Sequence, residues 1–447
     1  MYVTEMLANY AASVRRTPPP DEVIHHAKRA VLDWFASAFA GLDTAPVPML
    51  GMVLADDLGH GPASLLRGGA ATARAAALIH GAAAHAAEVD DSFRDAMYHP
   101  GAATVAAALA AAQSARCSGE HFLHGVIVGY EVSTRIGVAL GRAHYRHWHN
   151  SGTVGTFGAA AAAGCALSLG EREQAHALAT AGTFAAGLQQ AFRTDSMSKP
   201  LHTGRAAEAG LLAAQLAAAG VTGGLDVLEG ERGLGAAMSG EADWSGVTRT
   251  LGRDFHIARL TVKNHVGCGH TFAAVDAALE LRRLPGFAVE DIRGIQVETY
   301  APAVDIACQA APTTPNEARF SMHFVVATAL VHGSLRQQAY APERLSDPRV
   351  QGLMSCTQVS VDRELDAAFP GERSARVTLL LRDGTVRRHL QRHRVGDPEL
   401  PLSDEQLNAK FQELVEPVIG AARTLALREQ LWNLERRPDV RALGAPV

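Results

Sequence analysis

The sequence predicts a mainly α protein: a large all-helical domain over residues 1–256, a smaller α+β lid domain over 257–395, and C-terminal helices over 396–447 that return to the helical domain. Three observations predict it. Apolar residues recur three and four apart from the start to about residue 240, and the period changes after Phe255 to alternating or bunched β-branched residues. Helical spacing then resumes behind a capping box, Ser403 with Gln406.

The elements follow in order. "DEVIHHAKRAVLDWFASAFAG" starts behind Pro18–Pro20 and closes at Gly41. Helical runs follow at about 71–88, 102–115, 119–140, 153–169, 171–183 and 205–219. Several are apolar nearly all round and rich in Ala and Gly, which predicts central helices wrapped closely by outer ones. "IARLTVKNH", "IRGIQVETYAP", "TQVSVD" and "ARVTLLLRDGTVRRHLQ" read as strands, with Asp383-Gly384 as a hairpin turn. Helices are expected between them at about 271–283 and 321–331.

Composition narrows the function. Of 447 residues, 47% are hydrophobic and 19% charged, a balance that belongs to folded globular chains. A net charge of -5 disfavours nucleic acid or an anionic membrane as partner and leaves a small molecule. No secretory signal or membrane span is visible. Five cysteines, Cys117, Cys165, Cys268, Cys308 and Cys356, form no CxxC pair, which fits reduced thiols in the cytoplasm and disfavours an iron–sulfur cluster.

Four polar islands interrupt this background. "EVDDSFRDAMYHPG" carries Glu88, Asp90, Asp91, Ser92 and His99, with Pro100 placing His99 on a loop or at a helix start. "HYRHWHNSGTVGTFGAA" sets Tyr145, His147 and His149 ahead of a helix that Ser151 and Thr153 can cap. "FRTDSMSKPLHTGRAAEAG" places Lys199, His202 and Arg205 near an expected helix start at Gly204, where cations suit a carboxylate or phosphate. "TVKNHVGCGHTFAAVDAA" leads Lys263, His265, Cys268 and His270 from a strand into a helix. Singly, each has a structural explanation, since loop histidines cap helices and acidic pairs end them. Together they fall where buried small-residue helices begin or end, as a pocket requires.

Other chemistries find less support. His85 and Glu88, three apart, with Asp90 or His99 offer N and O ligands, but no HExxH, Cys/His set or Ca²⁺ loop is present, so no metal is expected. No P-loop, strand-linked GxGxxG or GxSxG elbow appears, which disfavours nucleotide cofactors and serine hydrolysis.

These islands resemble the MmgE/PrpD family, whose activities include 2-methylcitrate dehydration, cis-aconitate decarboxylation and iminodisuccinate epimerisation. The resemblance runs over nearly the whole chain, through "HAKRAVLDWFASAFAG", "LIHGAAAHAAEVDDS", "HPGAATVAAALAAA", "WHNSGTVGTFGAAAAAG", "SKPLHTGRAAEAGLLAAQLAAAG" and "NEARFSMHFVVATAL". It implies a homodimer of helical domains, each with an α+β lid, a site in the cleft between them, and cofactor-free chemistry. It also implies that Asp90, Asp91, Ser92, His99, His149, Lys199, Lys263 and His270 line that site. Some positions depart from the family pattern. Glu88 stands where Asp is common, the Ser92–His99 spacing is one residue longer than in the decarboxylases, Phe272 stands where a histidine is usual, and His323 replaces Tyr or Gln.

The expected activity is a lyase or isomerase of a small di- or tricarboxylate, 2-methylcitrate dehydratase-like by family default. An iminodisuccinate-type epimerase is the alternative, and a decarboxylase or metal-dependent hydrolase stands behind both. Negative charge grows beside a carboxylate in the first three reactions, so cations must meet the substrate. Arg205 and Lys263 are expected to hold it, and Lys199 to neutralise the reacting carboxylate or take the α-proton. His99 and His149 are the other acid/base candidates. Tyr145 or His149 would serve opposite Lys199 in an epimerisation, and Asp90 or Asp91 would orient a histidine.

Overall fold

A computed structural model describes residues 1–192, 196–307 and 309–444. Arg193, Thr194 and Asp195 of the third polar island, and Cys308, lie outside the described residues. The chain forms two compact units, one of residues 1–262 with those from 403 onward, the other Lys263–Leu402.

The first unit is helical. α1 (Val3–Ser13), α2 (Asp21–Gly41) and α3 (Val47–Val53) precede a short antiparallel pair, β1 (Leu58–Ser64) and β2 (Ala70–Ala71). α4 (Ala73–Ala86), α5 (Pro100–Ala115), α6 (Gly119–Tyr145), α7 (Asn150–Ala166), α8 (Glu171–Phe184) and α9 (Ser198–Ala218) follow. Every residue of α7 is buried, as is α5 from Pro100 to Gln113. α7 packs against α5, α6, α8 and α9, and α4 against α2, α5 and α9. Small residues permit this closeness: a Cβ at Gly129 of α6 would lie 2.6 Å from the Gly158 carbonyl oxygen of α7 and 2.4 Å from Thr104 Cγ2 of α5. The helix Asp404–Ile419, opened by the Ser403 capping box, packs on α2.

Helix starts differ from expectation where glycine blurs the pattern. α7 begins at Asn150 with His149 as its N-cap, so Ser151 and Thr153 lie inside the helix, and their hydroxyls bond His99 and His144 instead of capping it. α9 begins at Ser198 rather than Gly204, which puts Lys199 in its first turn and Arg205 well along it. The segment "IARLTVKNH" is not a strand. A 3₁₀ turn covers His256–Arg259, and the β-branched residues that follow give a single bridge, Thr261 to Ser92.

The second unit is α+β, with a sheet in the order β4-β3-β5-β6. β3 (Ile292–Thr299) runs parallel to β4 (Thr357–Val361) and antiparallel to β5 (Ala375–Leu381), which pairs with β6 (Val386–Gln391). Val297 is the partner of both Val359 and Val377. Gly384 takes φ 89° in the β5–β6 turn, a conformation that favours glycine. The helices Phe272–Arg282 and Met322–His332 pack together, the former against β5 and β6. Among the described residues, no helix is long and apolar enough to cross a membrane.

Candidate active site

The acidic island is built by the way α4 stops and α5 starts. Glu88 and Met97 adopt left-handed backbone, φ 59° and 50°, which turns the chain sharply at both ends of the loop. Two non-glycine residues held there store strain of about 1–3 kcal/mol each, so the surroundings must hold the loop in place. They do so at several points. Ser92 and Thr261 exchange backbone hydrogen bonds, and Phe93 pairs with Tyr98. Lys410, fully buried on the helix Asp404–Ile419, donates to the Val89 carbonyl at 2.8 Å and pairs with buried Asp33 at 2.5 Å.

This loop brings Asp90 and Asp91 inside, 1% and 3% exposed, with different partners. Asp90 accepts from His85 Nδ1 at 2.7 Å, and His99 Nδ1 lies 3.4 Å from the same carboxylate oxygen. Asp91 faces away, accepting from Tyr130 Oη at 2.7 Å and the Gly101 amide at 3.0 Å. A Cβ at Gly101 would sit 2.6 Å from that phenol oxygen, so glycine is required beside the carboxylate. Burial, helped by the nearby Asp33 charge, pushes the Asp91 carboxyl up to about 7.

His99 N-caps α5, with its backbone N–H donating to Ser151 Oγ at 3.1 Å. Its Nδ1 lies 2.6 Å from the Asp91 carbonyl oxygen. A carbonyl only accepts, so the hydrogen sits on Nδ1 and the lone pair on Nε2. His85 packs between two other imidazoles, its ring 4.9 Å from that of His99 and 5.5 Å from that of His149.

His149 is 3% exposed and bonds through Nδ1 to Nδ1 of His202 at 3.0 Å. Its backbone N–H donates to the Gly187 carbonyl, and the edge of Phe192 meets its ring at 4.8 Å. Burial, reinforced by His85, Lys199, His202 and His99, holds His149 well below its ordinary value, and burial likewise lowers His202. Both imidazoles are therefore neutral at pH 7. Lys199, one turn before His202 on α9, pairs with Glu88 and lies 5.4 Å over the Phe192 ring.

The structure thus brings His99, His149, Lys199 and Asp90 into one cluster, with Asp91 behind it and Ser92 anchoring the loop. Arg205 does not join them. Six residues beyond Lys199, it is turned to another face of α9, 56% exposed and paired with Glu208. Tyr145 closes α6 beyond a kink at Gly141 and is 38% exposed.

Lys263 and His270 belong to the second unit. Lys263 is 5% exposed. His270 Nδ1 bonds Tyr300 Oη at 2.9 Å, and burial beside Arg373 and Arg394 drives that imidazole down to about 3. Phe272 is core, its ring edge 5.4 Å from His265, which is hydrogen-bonded to buried Asp276 at 2.7 Å.

Sequence reasoning missed two members of the cluster as acid/base groups. The sequence presents His85 as a possible metal ligand and His202 as a neighbour of Lys199. The available signal was His85 closing an alanine run five residues before Asp90, and His202 three residues after Lys199. Ligand atoms of His85, Asp90 and His99 lie within 4.8 Å of one another, close enough for an ion. Glu88 is not among them, being turned to Lys199, and the ring nitrogens facing Asp90 already have hydrogen-bond geometry.

Fold and site define a two-unit, mainly α protein with a buried imidazole, carboxylate and ammonium centre suited to proton transfer. Residues 5–246 match the MmgE/PrpD N-terminal domain and residues 265–435 the MmgE/PrpD C-terminal domain. The chain belongs to the MmgE/PrpD family. It is 27% identical to a cis-aconitate decarboxylase-like protein of Aspergillus oryzae, over 100% of this chain and 97% of that protein. It is 26% identical to the cis-aconitate decarboxylases of Aspergillus terreus and Homo sapiens, over 99% of this chain and 95% and 93% of theirs.

Proposed function

We propose that the protein is a lyase of a small tricarboxylate or related acid, working by proton transfer at carbon beside a carboxylate, with cis-aconitate as the first candidate. The observation that carries this is the gathering of two imidazoles, an ammonium and a carboxylate in one cluster, with His99 Nδ1 set on the Asp91 carbonyl and His149 Nδ1 on His202. The similarity to cis-aconitate decarboxylases supports decarboxylation as the finer reading.

In loss of CO2 from an allylic carboxylate, the electrons of the breaking C–C bond form the new double bond, and the old π pair takes a proton. A ring N–H of His99 or His149 delivers it, while Lys199 offsets charge on a remaining carboxylate. Dehydration of a 2-methylcitrate-type substrate is the second reading. It is favoured by two imidazoles flanking His85, one to take the α-proton and one to protonate the departing hydroxyl.

The test is incubation in D2O with cis-aconitate, 2-methylcitrate, citrate and iminodisuccinate, following CO2, alkene absorbance and deuterium by NMR. The expected result is CO2 release from cis-aconitate with one carbon-bound deuterium per product, lowered about 10²–10⁴-fold in His99→Asn and unchanged by excess chelator. Alkene gained from 2-methylcitrate would favour the dehydratase, and exchange without alkene an epimerase. No turnover of any of these acids would sink the proposal.

A further inference from the structure

We propose that His202 is the proton partner of His149: as His149 takes a proton at Nε2, its Nδ1 proton passes to Nδ1 of His202. The two atoms lie 3.0 Å apart, with ring centroids at 5.2 Å and planes inclined 54°. A hydrogen bond between two imidazole nitrogens needs a hydrogen on one and a lone pair on the other, so the pair can pass its proton without rearranging. This assignment rests on the lyase reading and extends it to a residue outside the expected set.

Charge gives the relay its direction. His149 faces His85 at the end of α4, His99 at the cap of α5, and Lys199 and His202 on α9, with Glu88 drawn to Lys199 and Asp90 to His85. An imidazolium left on His149, 3% exposed, would be confined among these nitrogen groups. His202 is only half-buried, so the same charge there is better hydrated.

The step balances. In dehydration the substrate C–H bond breaks and its electrons stay on carbon, a new N–H bond forms at His149 Nε2, and the His149 Nδ1–H pair returns to that nitrogen as the proton joins His202, which, with hydrogen on Nε2, becomes the imidazolium. In decarboxylation the transfer runs the other way: the His202 imidazolium returns its Nδ1 proton to His149 as the His149 Nε2–H proton joins the old π pair of the substrate.

His202→Asn and His202→Leu separate the roles. The Asn oxygen can still accept from His149 Nδ1–H but cannot carry the proton. For a relay, kcat falls about 10²-fold in both variants, KM stays within about 3-fold, and the pH profile of kcat shifts rather than merely scaling down. His202→Asn within about 3-fold of wild type, with an unmoved profile, would overturn the relay and leave only positioning. Histidine-selective ¹⁵N NMR of the whole protein decides the pair independently of turnover. One protonated and one bare Nδ1 joined by hydrogen-bond coupling are expected, and two protonated or two bare Nδ1 atoms would refute it. A wild type inactive on every acid defeats the lyase reading while the NMR result still judges the pair.

Discussion

His99 takes its direction from a backbone carbonyl and Asp91 takes its state from burial, so two neighbours in one short loop are tuned by different means. The Asp91 carboxyl rises on folding from 3.8 to about 7, so the folded state favours its neutral form. The stability this confers is complete below the unfolded value and is lost as pH rises through about 7. Asp91→Asn cannot ionise. In urea unfolding between pH 5 and 8, the wild-type midpoint should fall relative to that of the variant as pH rises, and a constant gap would show that Asp91 is ionised throughout. At this scale the sequence was informative wherever a polar group broke an alanine run, as Asp90, His99 and Lys199 do. Arg205 reads as a helix-start cation because Gly204 looks like the opening of α9, whereas the helix starts at Ser198 and carries Arg205 well past its first turn. His85 was undervalued because nothing in "HGAAAHAA" says that the next loop folds back onto that ring.

At the scale of elements, the acidic loop is held by a helix more than 300 residues away in sequence. Lys410 and Asp33 are 0% and 1% exposed, and removing one partner takes a direct counter-charge from a group buried away from water. Lys410→Met should therefore destabilise the first unit by about 3–5 kcal/mol in urea, and Asp33→Leu combined with Lys410→Met should recover much of that. A loss below about 1 kcal/mol for the single variant would refute the buried pair. No sequence pattern announces this contact, because a lysine in an amphipathic helix reads as solvated. The same limit applies to "IARLTVKNH", whose β-branched residues suit a strand but find a single bridging partner in Ser92. The strands of the second unit were legible because their partners have the same alternation and lie within one sheet.

Across the whole molecule, neutral imidazoles are a recurring building material. Burial holds His80 and His144 down to about 4, His256 down to about 3, and His149 well below its ordinary value, all in the first unit. Each has a folded value below its unfolded one, so its stability is present above about pH 6.5 and is lost as pH falls towards 4. These four groups oppose the contributions of Asp91 and Glu131, whose carboxyls burial raises, and outnumber them. Unfolding midpoints should fall steeply between pH 6.5 and 4.5, and a midpoint flat across that range would mean that these rings are hydrated or already charged. The mainly α class and the change of period after Phe255 were legible because Ala/Gly packing and β-branched alternation each leave a periodic trace.

The Lys410 tether also sets an order of events during synthesis. The Val89 carbonyl leaves the ribosome some 320 residues before the ammonium that holds it, roughly 20–60 s at ordinary elongation rates. Through that interval the Lys410 ammonium is missing from both Asp33 and the strained loop between Glu88 and Met97. The loop that carries Asp90 and Asp91, though written in the first quarter of the chain, gains its Lys410 contact only when the last helices dock.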